Sequence, residues 1–399
     1  MSQPPGSPIS PLFSVLETPS SGRGVFATQD ISAGTFILAP EDVSVSVILR
    51  EFRREVCAWC FWYYEGREWK VREKSTGDVF CSEDCKAAWE DEQTLISNVS
   101  FSWAGTSSLV IEPRWAQSRV YQTGQLRISD FYCFYSADTE SQALGTHTAA
   151  FHAWRAVQKL IKGTPREDEP ISDVDAPRPN ASEISMAWIK AEHQAIYIRE
   201  SRAGFQNKAS RKAVHSVMTV TPDSESLRFL LSGILFRASK PGAWPSLQAL
   251  APNPRPYRST IQLEAHIISY LQLLAILPDS FLPHVTAEVC REIPLRDDHN
   301  SFGIRSLKDD GSEFLGYGIW IAASYFNHSC APNVTKRRVG RCWEFITARD
   351  IRAGEQLCIT YLSGDERAMN TNQRRARLRM NWEFECACEK CVGDDVELE

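Results

Sequence analysis

Apolar and polar residues alternate with period two over Val43-Ser44-Val45-Ser46-Val47, the signature of a half-buried strand. Three short apolar runs precede it: Phe13-Ser14-Val15-Leu16, Val25-Phe26-Ala27 and Thr35-Phe36-Ile37-Leu38. Glycine-containing turns separate them, so the N-terminal stretch is predicted as short strands. The middle of the chain takes a helical period. Residues 149–157 and 183–217 are predicted helical. Ser259-Thr260-Ile261-Gln262 fits a capping box. After it Ile261, Ala265, Ile268, Leu271 and Ala275 form an apolar stripe that Pro278 ends, and a second helix over 281–291 follows. Such stripes pack cores, and His266 and His284 are read as ordinary helix residues. Strands are predicted again at Ser107 to Glu112 and at Trp343 to Ala348. Residues 163–182, rich in Pro and acidic side chains, are predicted as a mobile loop, and 1–11, rich in Pro and Ser, as a disordered lead-in.

Composition narrows the picture. The chain has 399 residues, room for one large domain with insertions or two or three small ones. Its formal net charge of −6 argues against a general nucleic-acid coat. No apolar run approaches a membrane span, and the N-terminus lacks a basic segment followed by an apolar one. The expected setting is soluble and intracellular, nucleus or cytoplasm. The basic segment Lys336-Arg337-Arg338-Val339-Gly340-Arg341 is predicted as a solvated hairpin turn. Arg374-Arg375-Ala376-Arg377-Leu378-Arg379 is predicted as a basic helix with a weak nuclear-localisation character.

Eight of the twelve cysteines fall into two groups. Cys57 and Cys60 are spaced C-x2-C, and Cys81 and Cys85 C-x3-C about twenty residues later. In a reducing compartment that spacing suits a closed tetrahedral zinc site, with the second pair opening a helix at Lys86. Four buried free cysteines are the alternative, and paired short spacings make it the poorer one. Phe61, Trp62, Tyr63, Tyr64 and Trp69 are expected to pack on this knuckle. Cys133, Cys290, Cys342 and Cys358 show no ligand spacing and are read as packing residues.

Five further segments occur in a telling order. They are Ser21-Gly22-Arg23-Gly24-Val25-Phe26-Ala27, with the turn Asp30-Ile31-Ser32-Ala33-Gly34; the Asn300-Ser301-Phe302 strand; Ser324-Tyr325-Phe326-Asn327-His328-Ser329-Cys330-Ala331-Pro332-Asn333; Ala353-Gly354-Glu355-Gln356-Leu357-Cys358-Ile359-Thr360-Tyr361; and Phe384-Glu385-Cys386-Ala387-Cys388-Glu389-Lys390-Cys391. Together they resemble SET-domain protein-lysine methyltransferases of the SET–MYND (SMYD-type) family. A MYND finger interleaves two zinc sites, and this chain carries cysteines for one. Larger SMYD-type proteins continue into a helical repeat domain, and the sequence here stops soon after Cys391.

The resemblance implies an α+β, β-rich SET fold of several small sheets, interrupted by a zinc knuckle and a helical insertion and closed by a zinc-bound post-SET segment. The implied division is 12–50 and 299–365 for SET, 51–98 for the MYND-like knuckle, 99–298 for the insertion, 366–393 for post-SET and 394–399 for an acidic tail. The implied activity is transfer of methyl from S-adenosylmethionine (SAM) to a lysine of a histone or other protein. The competing reading is a catalytically weak SET and zinc-finger scaffold that recruits partners. A zinc hydrolase has little support, because both cysteine clusters leave no open coordination position. The resemblance assigns Tyr361, Asn327, His328 and Phe302 to catalysis. To SAM it assigns Gly22, Arg23, Gly24, Asn300, Ser324, Asn327, His328 and Tyr361, with Trp382 and Phe384 facing the adenine. One structural zinc would take Cys57, Cys60, Cys81 and Cys85, and the other Cys330, Cys386, Cys388 and Cys391. A protein substrate with an accessible lysine, a monomeric state, and neither membrane nor sequence-specific nucleic-acid binding complete the expectations.

Overall fold

The computed structural model describes residues 4–18, 21–40, 43–99, 148–163, 176–205, 207–307 and 313–396. The predicted strand at 107–112, Cys133 and residues 164–175 of the predicted loop lie outside these. In chain order the strands are β1 (Phe13–Glu17), β2 (Arg23–Ala27), β3 (Phe36–Leu38), β4 (Val43–Ile48), β5 (Val71–Glu73), β6 (Asp78–Phe80), β7 (Ser301–Arg305), β8 (Phe314–Trp320), β9 (Asn327–His328), β10 (Val334–Val339), β11 (Cys342–Thr347) and β12 (Gln356–Ile359). The helices are α1 (Glu83–Val99), α2 (Ala149–Lys162), α3 (Ala181–Arg202), α4 (Lys208–Met218), α5 (Ser224–Ser239), α6 (Trp244–Gln248), α7 (Thr260–Ile276), α8 (Ala287–Leu295), α9 (Asp297–Asn300), α10 (Thr371–Trp382) and α11 (Glu389–Val396). The expected α+β architecture of small sheets is present.

The sheets run β1-β2-β12-β9, β10-β11-β3, β4-β8-β7 and the ribbon β5-β6. Each joins strands from both ends of the chain except β5-β6, so the helices between β6 and β7 are an insertion into one sheet-built body. The pairings are antiparallel except β9 with β12, which run parallel and place Asn327 beside Cys358 and His328 beside Ile359. That parallel pair brings the Asn-His segment alongside the strand leading to Tyr361.

One large core fills the space between sheets and insertion. Its aromatic hub is Trp320, fully buried, with Phe61, Phe302 and Trp343 set edge-on around it at 6.3, 6.2 and 5.9 Å. Phe61 therefore joins the main core instead of packing on the knuckle. Of its neighbours, Tyr63 packs on Phe52, Tyr64 stacks on Trp69 and Trp62 is half exposed.

Several local expectations are corrected. The lead-in is not loose over residues 4–11: Tyr325 Oη donates to the Pro5 carbonyl at 2.9 Å, and Gly6 lies against Ser246 and Ile321, where a Cβ has no room. The helical stretch after residue 180 is two helices. Asn180 caps the first with a full capping box to Glu183, and Asn207 caps the second, accepting from Ser210 N at 2.8 Å. The predicted loop therefore ends at 180. On α7 the stripe is only part of what is covered: of its members Leu271 is buried, together with Leu263, His266, Ser269 and the rest of the run Tyr270 to Leu274, because α2, α3, α4 and α5 all pack against this helix. Its box is also only half made. Ser259 Oγ accepts from Gln262 N, but Gln262 Oε1 accepts from Arg258 N and not from Ser259 N. The helix expected at 281–291 is a 3-10 turn (Asp279–His284) and then α8, capped by Thr286.

Candidate active site

The polar residues of the 324–333 segment lace a loop crossing to its neighbours. Asn327 Nδ2 donates to Arg23 O at 3.0 Å, joining β9 to β2. Asn333 accepts from Cys358 N and donates to Gln356 O, both at 2.8 Å, replacing a strand partner for β12. Ser329 N donates to Ile359 O at 2.8 Å, and His328 Nδ1 accepts from Tyr361 N at 2.9 Å. A buried backbone group without a partner costs about 1–3 kcal/mol, so so polar a segment is stable inside the fold only because these bonds are made. Accepting at Nδ1 leaves the His328 proton on Nε2, 3.3 Å from Cys330 Sγ. Burial pushes the imidazole pKa down to about 4, which keeps this neutral tautomer.

Tyr361 lines a cleft with Asn300, Phe302, Ser324, Phe326 and Trp382. Its Oη donates to the Phe326 carbonyl at 2.9 Å, so the oxygen lone pairs remain for the cleft. Burial raises the phenol pKa well above its usual value, and the group stays protonated. Aromatic rings continue the wall: Trp382 lies 5.3 Å and Phe384 6.3 Å from the Tyr361 ring, and Phe384 lies 6.0 Å from His328. The chain turns between those two aromatics at Glu383, in left-handed conformation at φ 58°. A non-glycine residue pays about 1–2 kcal/mol there. Ion pairs from its carboxylate to Arg178 and Arg255 hold it.

The residues expected around SAM divide into two groups. Asn300 and Ser324 line the cleft, but both donate to the protein's own backbone. Asn300 Nδ2 reaches Ala251 O and Arg296 O at 2.8 and 2.9 Å, and Ser324 Oγ reaches Asn300 O at 2.9 Å. Gly22, Arg23, Gly24, Asn327 and Phe384 lie outside the cleft lining. The Arg23 guanidinium is engaged with the Ala249 carbonyl and lies over the Tyr325 ring at 5.3 Å. Gly22 has φ +64° and no neighbour, whereas Gly24 faces the side chains of Gln356 and Asn327. Two buried nitrogens nearby have no partner, the donor Gln356 Nε2 and the ring nitrogen His299 Nε2. No described residue donates to the amide oxygens of Asn300 or Asn327. Unpaired nitrogens, open acceptors and aromatic faces are what a zwitterionic amino acid joined to adenine would use.

Both cysteine groups assemble. In each, the four sulfur atoms lie within 4.8 Å of one another, and measured pairs run from 3.4 to 3.9 Å. A tetrahedral zinc thiolate site with bonds of about 2.3 Å has sulfurs about 3.8 Å apart, so both groups fit. Hydrogen bonding among the thiols lowers the pKa of Cys57 and raises that of Cys60; likewise Cys388 goes down and Cys386 up. The second group ties α10 and α11 beneath the cleft, with Leu362 and Leu378 buried beside it. Two arginines of the basic helix serve it. Arg374, buried, points to Cys391 Sγ at 3.7 Å, and Arg375 donates to Cys386 O at 3.0 Å. That run is therefore not a freely displayed basic face. Among the remaining described cysteines, Cys290 is buried and Cys342 and Cys358 half-buried, outside both groups.

The basic hairpin is the largest correction. Residues 334–339 form β10, with a tight turn at Gly340 (φ 61°) leading to β11. Thr335, Arg337 and Val339 face out; Val334, Lys336 and Arg338 face in. Period two puts alternate residues on one face, and Val334 fixes which face is buried. Arg338 is satisfied by the carbonyls of Gly340 and Arg305 at 2.9 and 3.0 Å. Lys336 enters the cleft, over the rings of Phe302 at 4.8 Å and Trp343 at 5.5 Å. Sequence reasoning took the charge as the signal and missed the alternation.

A family model described as the SET domain matches residues 22–362. Over 404 aligned positions the chain is 26% identical to the potential protein lysine methyltransferase SET6 of Saccharomyces cerevisiae, covering 97% of this chain and 96% of that protein. It is 37% identical over 101 residues to the protein-lysine N-trimethyltransferase SMYD5 of Gallus gallus, 24% of either chain. Over 100 residues it is 34% identical to a SET and MYND domain-containing protein of Dictyostelium discoideum, covering 25% of this chain and 24% of that one.

Proposed function

Because this chain belongs to the SET-domain family, with SMYD-type proteins among its relatives, we propose the following working site for a SAM-dependent protein-lysine N-methyltransferase. The observation that carries the reading is the convergence of Tyr361, Phe302, Trp382, Asn300 and Ser324 on one cleft, with Asn327 and His328 bracing its floor. SAM supplies an electrophilic methyl on a sulfonium. We assign its amino-acid end to the region of Gly22, Gly24, Asn300 and Asn327, and its adenine to the Trp382–Phe384 side. Arg23 acts there through its backbone. The two four-cysteine groups each hold one structural zinc. The scaffold alternative is not favoured, since Tyr361, the cleft and its bracing bonds are all present.

The acceptor amine must be neutral. In water at pH 7 a lysine of pKa near 10.4 pays about 4.6 kcal/mol to lose its proton. The cleft lowers that cost by desolvation, and its own Lys336 gauges the effect: burial, aided by the charges of Arg367 and Arg305, pushes that pKa down to about 7. Tyr361, held protonated and donating to Phe326 O, offers lone pairs that orient the incoming amine. His328 fixes the Tyr361 backbone through its ring nitrogen. The aromatic walls exclude water and align the reactants, which supplies much of the acceleration.

The substrate is a protein lysine. We propose a histone or another nuclear or cytoplasmic protein, approached by a monomer, with no nucleic acid or membrane required. No helix of the described residues is long and apolar enough to cross a membrane. The test is calorimetric SAM binding by the zinc-replete chain and by Asn327→Ala. Low-micromolar binding lost in the variant supports the site and justifies a labelled-methyl screen of protein substrates. Absence of binding by folded wild type removes the enzyme reading.

A further inference from the structure

Lys336 is an unusual lining residue for a cleft that must receive a lysine. It projects inward from β10 between Val334 and Arg338. Its Nζ rests only on two aromatic faces, Phe302 and Trp343. Among the described residues it makes neither a hydrogen bond nor an ion pair. Arg338, two residues on, has two backbone carbonyls for its guanidinium. The charged groups felt by Lys336 are Arg305 at the end of β7 and Arg367 in the turn after Tyr361, both positive. Among the described residues no carboxylate offsets them. An amine so placed is desolvated, unpaired and walled by the same Phe302 that lines the cleft below Tyr361. Those are the conditions an acceptor lysine needs, and a flexible four-carbon stem lets Nζ move within the cleft.

We propose that Lys336 is itself a methyl acceptor, modified within its own chain at the transfer site. This rests on the methyltransferase reading above. The Nζ lone pair forms the new N–C bond as the C–S bond of the SAM sulfonium breaks. The C–S pair stays on sulfur, giving neutral S-adenosylhomocysteine, and the sulfonium's positive charge passes to the nitrogen, which becomes a methylammonium. The product ammonium keeps its place over Phe302 and Trp343, since aromatic faces hold methylated cations well.

The experiment uses the full zinc-replete chain with SAM carrying a deuterated methyl. The peptide bearing Lys336 is weighed by mass spectrometry, and SAM binding is measured on the same preparation. The expected result is one or more labelled methyls on Lys336, at a fractional rate unchanged by dilution, and no label at that position in Lys336→Arg or Tyr361→Phe. A second readout needs no turnover. In chain carrying nitrogen-labelled lysine, the Nζ resonance of Lys336 is expected to titrate near 7 and to shift when S-adenosylhomocysteine is added. A chain that binds SAM yet leaves Lys336 unlabelled, or whose Lys336 resonance ignores the added product, overturns this inference and leaves the methyltransferase reading intact. A folded chain that does not bind SAM at all overturns the underlying reading instead.

Discussion

Gly22 and Gly24 flank Arg23 alike in sequence but do different work, and alanine at each separates the two roles. At Gly22 the backbone has φ +64° and nothing lies within 4 Å of an added Cβ. Alanine there keeps every contact and bears only the cost of left-handed backbone, about 1–2 kcal/mol. At Gly24 the backbone is an ordinary strand, paired with Leu16. An added Cβ would lie 2.9 Å from Asn327 Nδ2, 3.2 Å from the Gln356 amide carbon and closer still to Gln356 Nε2. Gln356 Nε2 has no partner to lose, so its retreat is cheap. Asn327 must give up its bond to Arg23 O, worth about 0.5–1.5 kcal/mol. The two variants should therefore unfold with similar, modest losses. Their effects on the site should differ: Gly24→Ala displaces Asn327 and is expected to weaken SAM binding by about tenfold or more, the equivalent of about 1.4 kcal/mol. Gly22→Ala should leave SAM affinity within about threefold, and Gly22→Asn should recover most of its stability because Asn tolerates that conformation. Chemical denaturation and SAM calorimetry on the three variants give the comparison. If Gly22→Ala loses the affinity and Gly24→Ala keeps it, the division of labour is wrong.

Other perturbations follow from the same geometry. Tyr361→Phe should lower methyl transfer by about 10²–10⁴-fold in a labelled-methyl assay. It should also cost about 1–3 kcal/mol of stability, because the buried Phe326 carbonyl loses its donor, with SAM affinity little changed. Cys386→Ser should halve the zinc content measured by elemental analysis and expose residues 371–396 to protease, while Cys57→Ser should halve it without that cleavage. Asp297 accepts from Ser301 Oγ, and burial, aided by the Asp298 charge, raises its pKa to about 7. An acid whose pKa is raised by folding favours the folded state when protonated and costs stability as it ionises. Asp297→Asn should therefore be increasingly stabilising, relative to wild type, as pH rises from about 4 to about 7, and level off above. A stability difference between the two that stays flat with pH would refute this.

What the sequence determined by itself was the chemistry carried by short range order. The Cys57/Cys60 and Cys81/Cys85 spacings, the alternation at β4 and the ordered segments ending in Tyr361 are local patterns, and local patterns survive folding because neighbours in sequence stay neighbours in space. Family resemblance then linked Cys330 to the three cysteines near the end, a closure that spacing could not give. The tertiary structure decided everything that depends on which face is covered. Lys336 and Arg338 read as solvent-exposed because charge normally is, yet strand alternation behind Val334 turned them inward. Arg374 and Arg375 read as a displayed basic run, yet they brace the C-terminal cysteines. The stripe on α7 followed the helical period, but packing by four other helices buried more of that helix than one stripe. Residues 4–11 lacked the composition of a core and were nonetheless held by Tyr325 and Ser246. In each case burial by a partner distant in sequence overrode the local preference, since desolvation and packing act on surfaces that only the folded chain brings together.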